Sequence, residues 1–249
     1  MSNNVIDFQE MGNGIVQIKM QDTVNKNTFS RELADGLIEA FSTVNHSDNY
    51  KVVILTGFGS YFASGGTQED LMYLSDGKGK FSDKDLYSLA LNCPVPVISA
   101  MQGHGIGGGF VMGMFADFVV LSRESIYTTN FMKYGFTPGM GATFILPKKL
   151  GISLSHEMML AAKNYRGEEL KQRGIPFPVL PRSDVMEYAM DLALTLAEKP
   201  RISLITLKDH LVGAIRKELP QAIEQEVVMH DKTFHQPEVK ARIKTLFGK

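Results

Sequence analysis

The first half of the chain alternates between two hydrophobic periodicities. Short apolar runs rich in β-branched residues predict strands at Val52–Thr56, Val97–Met101 and Phe118–Leu121. Apolar positions spaced three and four residues apart predict helices between them, most clearly at Ser30–Val44, with another helix beginning at Gly108. Because strands separated by helices form parallel βαβ units, we expect an α/β fold with ligand sites at the carboxyl ends of the strands.

Other segments complete this pattern. Val5–Phe8 and Ile15–Met20 predict a hairpin, and Ser82–Leu91 predicts a helix. After about Ala142 the predicted elements are helices, with Pro220 expected to break one from the next. These helices span Leu154–Lys163, Gly167–Gly174, Ser183–Lys199, Arg201–Lys217 and Pro220–His235. We therefore divide the chain into a core at 1–198 and a helical module at 199–249, packed on the core or on a neighbouring subunit.

The composition excludes several classes of function. The chain has 249 residues, a net charge of −1 and 44% hydrophobic residues, so no broad basic surface predicts binding to nucleic acid or to a membrane. Its one cysteine, Cys93, rules out an internal disulfide, and we expect it to be a packing residue rather than a nucleophile. With no basic and apolar leader and no long apolar stretch, a cytoplasmic protein is expected.

Two glycine-rich turns follow two of the predicted strands. The first is Phe62–Gly66, and the second is Gly103–Gly109, which opens a helix. Glycine lets backbone N–H groups approach a ligand closely, and a helix start adds partial positive charge. Two such turns facing each other would hold one developing oxyanion.

The second turn alone is a weak signal. Close packing of a strand against a helix explains a lone glycine run equally well, and the absence of Gly-Lys-Ser/Thr argues against a phosphate-binding P-loop. His104, inside this turn, is expected to make a buried hydrogen bond that stabilises the turn. The His, Asp and Glu residues show no metal-ligand spacing, so we predict no metal site.

Taken together, the turns and two later motifs resemble the crotonase (enoyl-CoA hydratase/isomerase) superfamily. The motifs occur in the order Phe62–Gly66, Gly103–Gly109, Ala116–Phe118 and Gly135–Gly139. The resemblance implies a β-β-α spiral core with a helical C-terminal module and an oxyanion hole formed by the N–H groups of Gly66 and Gly108. It also implies a homotrimer or a dimer of trimers, and an acyl thioester substrate with a phosphopantetheine arm. No further cofactor is implied.

The chain departs from the hydratase pattern at two positions. Val111 and Phe131 stand where hydratases of this superfamily carry their glutamates. Without that pair of carboxylates, no acid–base pair activates water, and hydration is not expected. The isomerase interpretation also loses its proton-shuttling glutamate.

Decarboxylation needs an oxyanion hole but no general base, because the electrons left by CO2 run into the thioester carbonyl. Segments around Phe131 and His230 resemble the decarboxylating crotonase homologue of polyketide β-branching (HMG-synthase) cassettes. The resemblance implies that Lys80, favoured over Lys78, holds the substrate carboxylate. It also implies that His230 assists protonation, and a histidine near its ordinary pKa suits that role.

The full hypothesis is decarboxylation of a 3-methylglutaconyl-like thioester. Ser64, Val111, Phe131 and Met132 are predicted to bind the substrate. Whether the carrier is an acyl-carrier protein or free coenzyme A stays open. The alternatives are an enoyl thioester isomerase of the same fold and an inert homologue that binds acyl carriers.

Overall fold

The computed structural model describes residues 5–247, and two β-sheets organise its first three-quarters. The larger sheet has six strands in the order β1-β2-β3-β5-β7-β10, and the smaller has four in the order β4-β6-β8-β9. The strands are β1 Ile6–Gly12, β2 Ile15–Met20, β3 Val52–Thr56, β4 Tyr61–Ala63, β5 Val97–Met101, β6 His104–Ile106, β7 Phe118–Ser122, β8 Ile126–Thr128, β9 Tyr165–Arg166 and β10 Val179–Leu180.

The larger sheet confirms the predicted hairpin and strands. β1 and β2 pair antiparallel, and β2, β3, β5, β7 and β10 pair parallel in that order. In β3 and β5 every residue is buried, as continuous apolar runs predict for strands covered on both faces. The predicted α/β fold with a helical C-terminal region is confirmed.

The smaller sheet was not predicted. β4 carries the first glycine turn and β6 carries the second, and the two strands pair parallel. Each strand has three residues, too few for a hydrophobic period to be recognisable. Their pairing places both turns on one edge of the fold.

Ten α-helices lie among and after these strands in the described part of the chain. They are α1 Arg31–Asn45, α2 Gln68–Ser75, α3 Leu89–Asn92, α4 Gly108–Met114, α5 Ala142–Leu150, α6 Ile152–Ala161, α7 Gly167–Gln172, α8 Val185–Ala197, α9 Arg201–Phe234 and α10 Pro237–Leu246. The predicted helix at Ser82–Leu91 is wrong over half of its length: only a 3-10 turn at Phe81–Asp83 and the start of α3 are helical.

The break predicted at Pro220 is also wrong, because α9 continues through it. Proline removes one helical hydrogen bond, but tertiary packing holds the helix on both sides. On one side Lys208 is buried against Asp117, and on the other Ile223 and Phe234 enter the main hydrophobic core. Since α9 and α10 bury side chains in the main hydrophobic core, both helices pack on this chain, chiefly against α2, α3 and α5. The division at residue 198 stays a prediction.

Candidate functional site

A cavity of about 260 Å³ lies beside the two glycine turns. Five of the predicted site residues line it: Gly66, Lys80, Gly108, Phe131 and His230. They come from five separate segments of the chain, and the fold brings them to one place.

The two turns touch each other through Gly65. Its φ of +75° is a left-handed conformation that favours glycine, and a Cβ there would lie 2.9 Å from the Ile106 carbonyl oxygen and 3.3 Å from Gly108 N. The Gly65 carbonyl also accepts a hydrogen bond of 2.7 Å from Phe29 N. These contacts hold the first turn directly against the start of α4.

The second turn is packed as closely. A Cβ at Gly109 would lie 2.3 Å from the Ala63 carbonyl oxygen, so only glycine allows α4 to approach β4 this closely. Gly107 precedes the helix with a φ of +54°. Tight packing of α4 against β4 is therefore sufficient to require glycine at these positions.

Two backbone N–H groups are left for a ligand oxygen. Gly108 is the first residue of α4, so its N–H has no partner within the helix. Gly66 lies outside any helix or strand, and its N–H makes no hydrogen bond within residues 5–247. Both residues line the cavity, as an oxyanion hole requires.

The surroundings of the two candidate lysines differ. Lys80 lines the cavity, its backbone N–H donates to Asp83 Oδ2 at 2.8 Å, and within the described chain its ammonium has no ion pair. Lys78 does not line this cavity, and its Nζ lies 3.3 Å from Asp76 Oδ2. The geometry therefore favours Lys80 as the cation that faces a substrate.

His230 projects from α9 into an aromatic surround. Its ring stacks on Phe234 with centroids 4.3 Å apart and meets the rings of Phe81 and Phe136 edge-on. Burial lowers the pKa of His230 to about 4; the nearby Asp231 carboxylate opposes that shift and His235 adds to it. The expected ordinary pKa is therefore wrong, because aromatic packing removes the water that an imidazolium needs.

Three predicted substrate-binding residues do not line this cavity. Val111 is fully buried in the hydrophobic core, and every other residue of α4 is buried as well. The Ser64 hydroxyl donates to the Lys26 carbonyl at 2.6 Å, and Ser64 lines a second cavity. Met132 lies in a 3-10 helix at Asn130–Lys133, beside Phe131, which does line the first cavity.

The second cavity, of about 500 Å³, lies on the other side of the first glycine turn. Its lining includes Lys26, Tyr61, Ser64, Gln68 and Lys133. Segment 64–68 thus contributes Gly66 to the first cavity and its neighbours to the second.

Some charged residues that line the first cavity were not predicted from the sequence to lie there. Arg31 and Lys84 line it, and each lies 3.6 Å from the carboxylate of Asp35. Asp70 also lines it, but its carboxylate accepts from the Thr67 hydroxyl at the start of α2. No sequence signal distinguishes these residues, since exposed charges on helix starts are common.

Two further expectations concern single residues. His104 Nδ1 accepts a hydrogen bond of 2.9 Å from Ile126 N, which confirms the predicted role in stabilising the turn. Cys93 is fully buried, and burial raises the pKa of its thiol to about 11, so at neutral pH it is an uncharged packing residue.

Residues 5–247 contain neither a membrane-spanning helix nor a cluster of metal ligands. None of the helices there combines the length and apolarity needed to span a bilayer. No three His, Cys, Asp or Glu side chains of that region are grouped to hold a metal ion.

Known proteins resemble this chain over nearly all of its length. The family described as enoyl-CoA hydratase/isomerase matches residues 10–247. The chain is 62% identical over 248 residues to the bacillaene synthase decarboxylase PksI of Bacillus subtilis, with all of both chains covered.

Solved structures extend the comparison. One comes from a dehydratase/decarboxylase enzyme couple involved in polyketide β-branching. It is 62% identical to this chain with a TM-score of 0.98, and the match covers 98% of this chain and 100% of the other. The ECH2 decarboxylase domain of CurF from Lyngbya majuscula shares 49% identity and a TM-score of 0.94, with 98% and 99% covered. The predicted superfamily is confirmed.

Proposed function

Because the chain belongs to the enoyl-CoA hydratase/isomerase family, we propose that it uses that family's oxyanion hole to decarboxylate an acyl thioester in polyketide β-branching. The similar protein of Bacillus subtilis is a decarboxylase, and its 62% identity extends over the whole chain. The observation that carries the proposal is the placement of the Lys80 side chain and the free N–H groups of Gly66 and Gly108 around one cavity with an aromatic wall.

The substrate we propose is a 3-methylglutaconyl-like thioester. Its thioester oxygen accepts from the N–H groups of Gly66 and Gly108, and its carboxylate faces the Lys80 ammonium. The bond between the carboxylate carbon and its neighbour then breaks, and CO2 leaves. The electron pair of that bond passes through the conjugated double bond into the thioester carbonyl, where the two N–H groups stabilise the enolate charge.

The aromatic wall promotes the loss of CO2. Phe131 and Phe136 line the cavity, and Phe131 stands at one of the two positions where a hydratase of this superfamily carries a glutamate. An apolar surround disfavours the charged carboxylate more than the neutral CO2 that leaves. The two carboxylates at the cavity, on Asp70 and Asp83, are engaged in hydrogen bonds at helix starts.

A proton must finally reach the carbon skeleton, and His230 is placed to assist. With a pKa near 4 the imidazole is neutral at neutral pH, so alone it offers an N–H donor rather than an acidic proton. A substrate carboxylate bound nearby favours the imidazolium and raises this pKa. We therefore propose that substrate binding charges His230, which then donates to the enolate after CO2 leaves.

The carrier arm fits the second cavity. An acyl chain in the first cavity places its thioester at Gly66, and the phosphopantetheine arm continues past Ser64 and Gln68 toward Lys26. The polar and lysine-bearing lining suits a phosphate-bearing arm. We propose an acyl-carrier protein as the carrier, with coenzyme A as the alternative.

Mass spectrometry of an acyl-carrier protein loaded with 3-methylglutaconate tests the proposal. After incubation with the protein, the loaded carrier should lose the mass of one CO2. An unchanged mass with a moved double bond would identify an isomerase, and an unchanged acyl group would identify an inert carrier-binding protein. Gain of one water would contradict the interpretation of Val111 and Phe131.

A further inference from the structure

A buried carboxylate that the proposed reaction does not use lies one helical turn before His230. Glu226 is on the same face of α9 as His230 and Phe234, and only 1% of it is exposed. Its Oε2 accepts from Gly141 N at 2.7 Å, and its Oε1 accepts from Thr143 N at 2.8 Å and from Thr143 Oγ1 at 2.6 Å. The full use of its oxygens indicates a residue that holds something in place.

The segment it holds is the start of α5. Gly141, the residue before that helix, has a φ of +76° and provides no side chain to cap it. Glu226 supplies the missing cap from another helix, and a carboxylate at a helix N-terminus also has favourable charge. Met140, just before, has a φ of +62°, which is unfavourable for a side-chain-bearing residue, so the conformation needs outside support.

This segment borders the oxyanion hole. A Cβ added to Gly108 would lie 2.4 Å from Met140 Sδ, so the methionine side chain lies directly against the Gly108 backbone. Gly139 lies against the ring of Phe81, which also contacts His230. Both Gly139 and Met140 line the cavity.

We propose that Glu226 is a positioning residue that fixes the position of the oxyanion hole relative to His230. Its backbone is part of the helix that carries His230, and its carboxylate holds the loop that packs on Gly108. The inference rests on the proposed function for its substrate, but the placement of Gly108 can be tested without turnover.

The variant Glu226→Gln tests it with little change in shape. A glutamine has one acceptor oxygen, so whichever way its amide is turned, it presents an NH2 group to either Gly141 N or Thr143 N, and two donors cannot bond. One of the two backbone contacts with the start of α5 is therefore lost. We expect kcat for CO2 release to fall about 10- to 100-fold with KM nearly unchanged, because the substrate still binds but is misaligned.

An infrared readout separates positioning from general stability. The probe is a 3-methylcrotonyl-pantetheine thioester with a ¹³C carbonyl, one of the two possible product acyl groups on a short arm. In the unmodified protein, hydrogen bonds from Gly66 and Gly108 should lower its carbonyl stretching frequency relative to water. In Glu226→Gln we expect a large part of that lowering to be lost.

Lys208→Met is the matched control. Lys208 is also buried on α9 and fixes it to the core through Asp117 and the carbonyl groups of Ala90 and Val95. It lies 22 residues before His230, about 33 Å along a continuous helix. This variant should lose stability but keep the carbonyl shift and, for the folded fraction, kcat.

The outcomes are distinct. A carbonyl shift and a kcat in Glu226→Gln that match the unmodified protein would overturn the positioning role, as would equal losses in Lys208→Met. If the unmodified protein released no CO2 but Glu226→Gln still lost the carbonyl shift, the proposed function would fail and the positioning of Gly108 would stand.

Discussion

At the scale of the residue, two lysines of identical chemistry lie two positions apart in one loop but have different surroundings. Lys80 faces the cavity, whereas Lys78 pairs with Asp76 at the surface, an arrangement worth little energy. Sequence alone favours Lys80 by resemblance only, since both lie among glycines and polar residues. The neighbours that distinguish them come from the fold.

Replacing Lys80 with methionine should lower the rate of CO2 release by about 100-fold or more, because no cation then holds the substrate carboxylate beside the apolar wall. Mass spectrometry of the loaded carrier measures this rate. Lys78→Met is the matched control and should keep nearly the full rate. Wild-type rates in Lys80→Met, with an unchanged melting temperature, would refute the assignment.

The low pKa of His230 predicts how stability depends on pH. In the unfolded chain the pKa of His230 returns to about 6.5, so His230 binds a proton below that pH. In the folded chain it binds that proton only near pH 4. Stability is therefore lost as the pH falls, by about 2 kcal/mol from this group between pH 7 and pH 5.

Urea unfolding of the unmodified chain and of His230→Gln at both pH values measures that loss. The variant cannot titrate at this position, so its decrease in stability should be smaller by about 2 kcal/mol. Burial of Glu226 raises the pKa of its carboxyl and acts in the opposite direction, but it does so in both chains and cancels in the comparison. Equal decreases would show that His230 titrates normally.

At the scale of the element, strands with long apolar runs could be predicted from the sequence, whereas very short strands could not. Val52–Thr56 and Val97–Met101 were predicted to the residue because each is a continuous apolar run buried on both faces. The short strands β4 and β6 were not, since their pairing depends on contacts across forty residues of chain. The helix break predicted at Pro220 was wrong, because tertiary packing on both sides of the proline overrides its low helix propensity.

Two glycines in helices should respond oppositely to alanine. At Gly109 the new Cβ would meet the Ala63 carbonyl at 2.3 Å, so backbone must shift, and we expect a loss of roughly 2–4 kcal/mol. At Gly213, inside α9, nothing lies within 4 Å, and alanine should add about 0.5–1 kcal/mol. Urea unfolding of both variants measures these changes. A neutral Gly109→Ala would show that the two turns are not in close contact.

At the scale of the whole molecule, the fold assembles a site from residues that sequence could find only in part. The glycine turns were predictable because oxyanion donors require glycine at close approach, and the resemblance supplied Lys80 and His230. Arg31 and Glu226 carry no local signal: one is an ordinary exposed charge and the other an ordinary helical glutamate. Their relation to the cavity exists only after α1 and α9 have packed.

The resemblance also implies a homotrimer or a dimer of trimers, which stays a prediction, and the surface of α9 supports it. Leu207 and Leu211 lie one turn apart on the same face of that helix, and their large apolar side chains are 57% and 66% exposed. Neighbouring apolar side chains that one chain leaves in water are typical of surfaces that another subunit covers.

Light scattering after size-exclusion chromatography should therefore give three or six times the 27.6 kDa mass of the chain. Adding charge with Leu207→Glu and Leu211→Glu should shift the population toward single chains, because a buried unpaired carboxylate opposes association. Val24→Glu, which changes an exposed apolar residue in the loop before α1, should leave the mass unchanged. A single-chain mass for the unmodified protein would contradict the trimer, and the exposed face of α9 would then need another explanation.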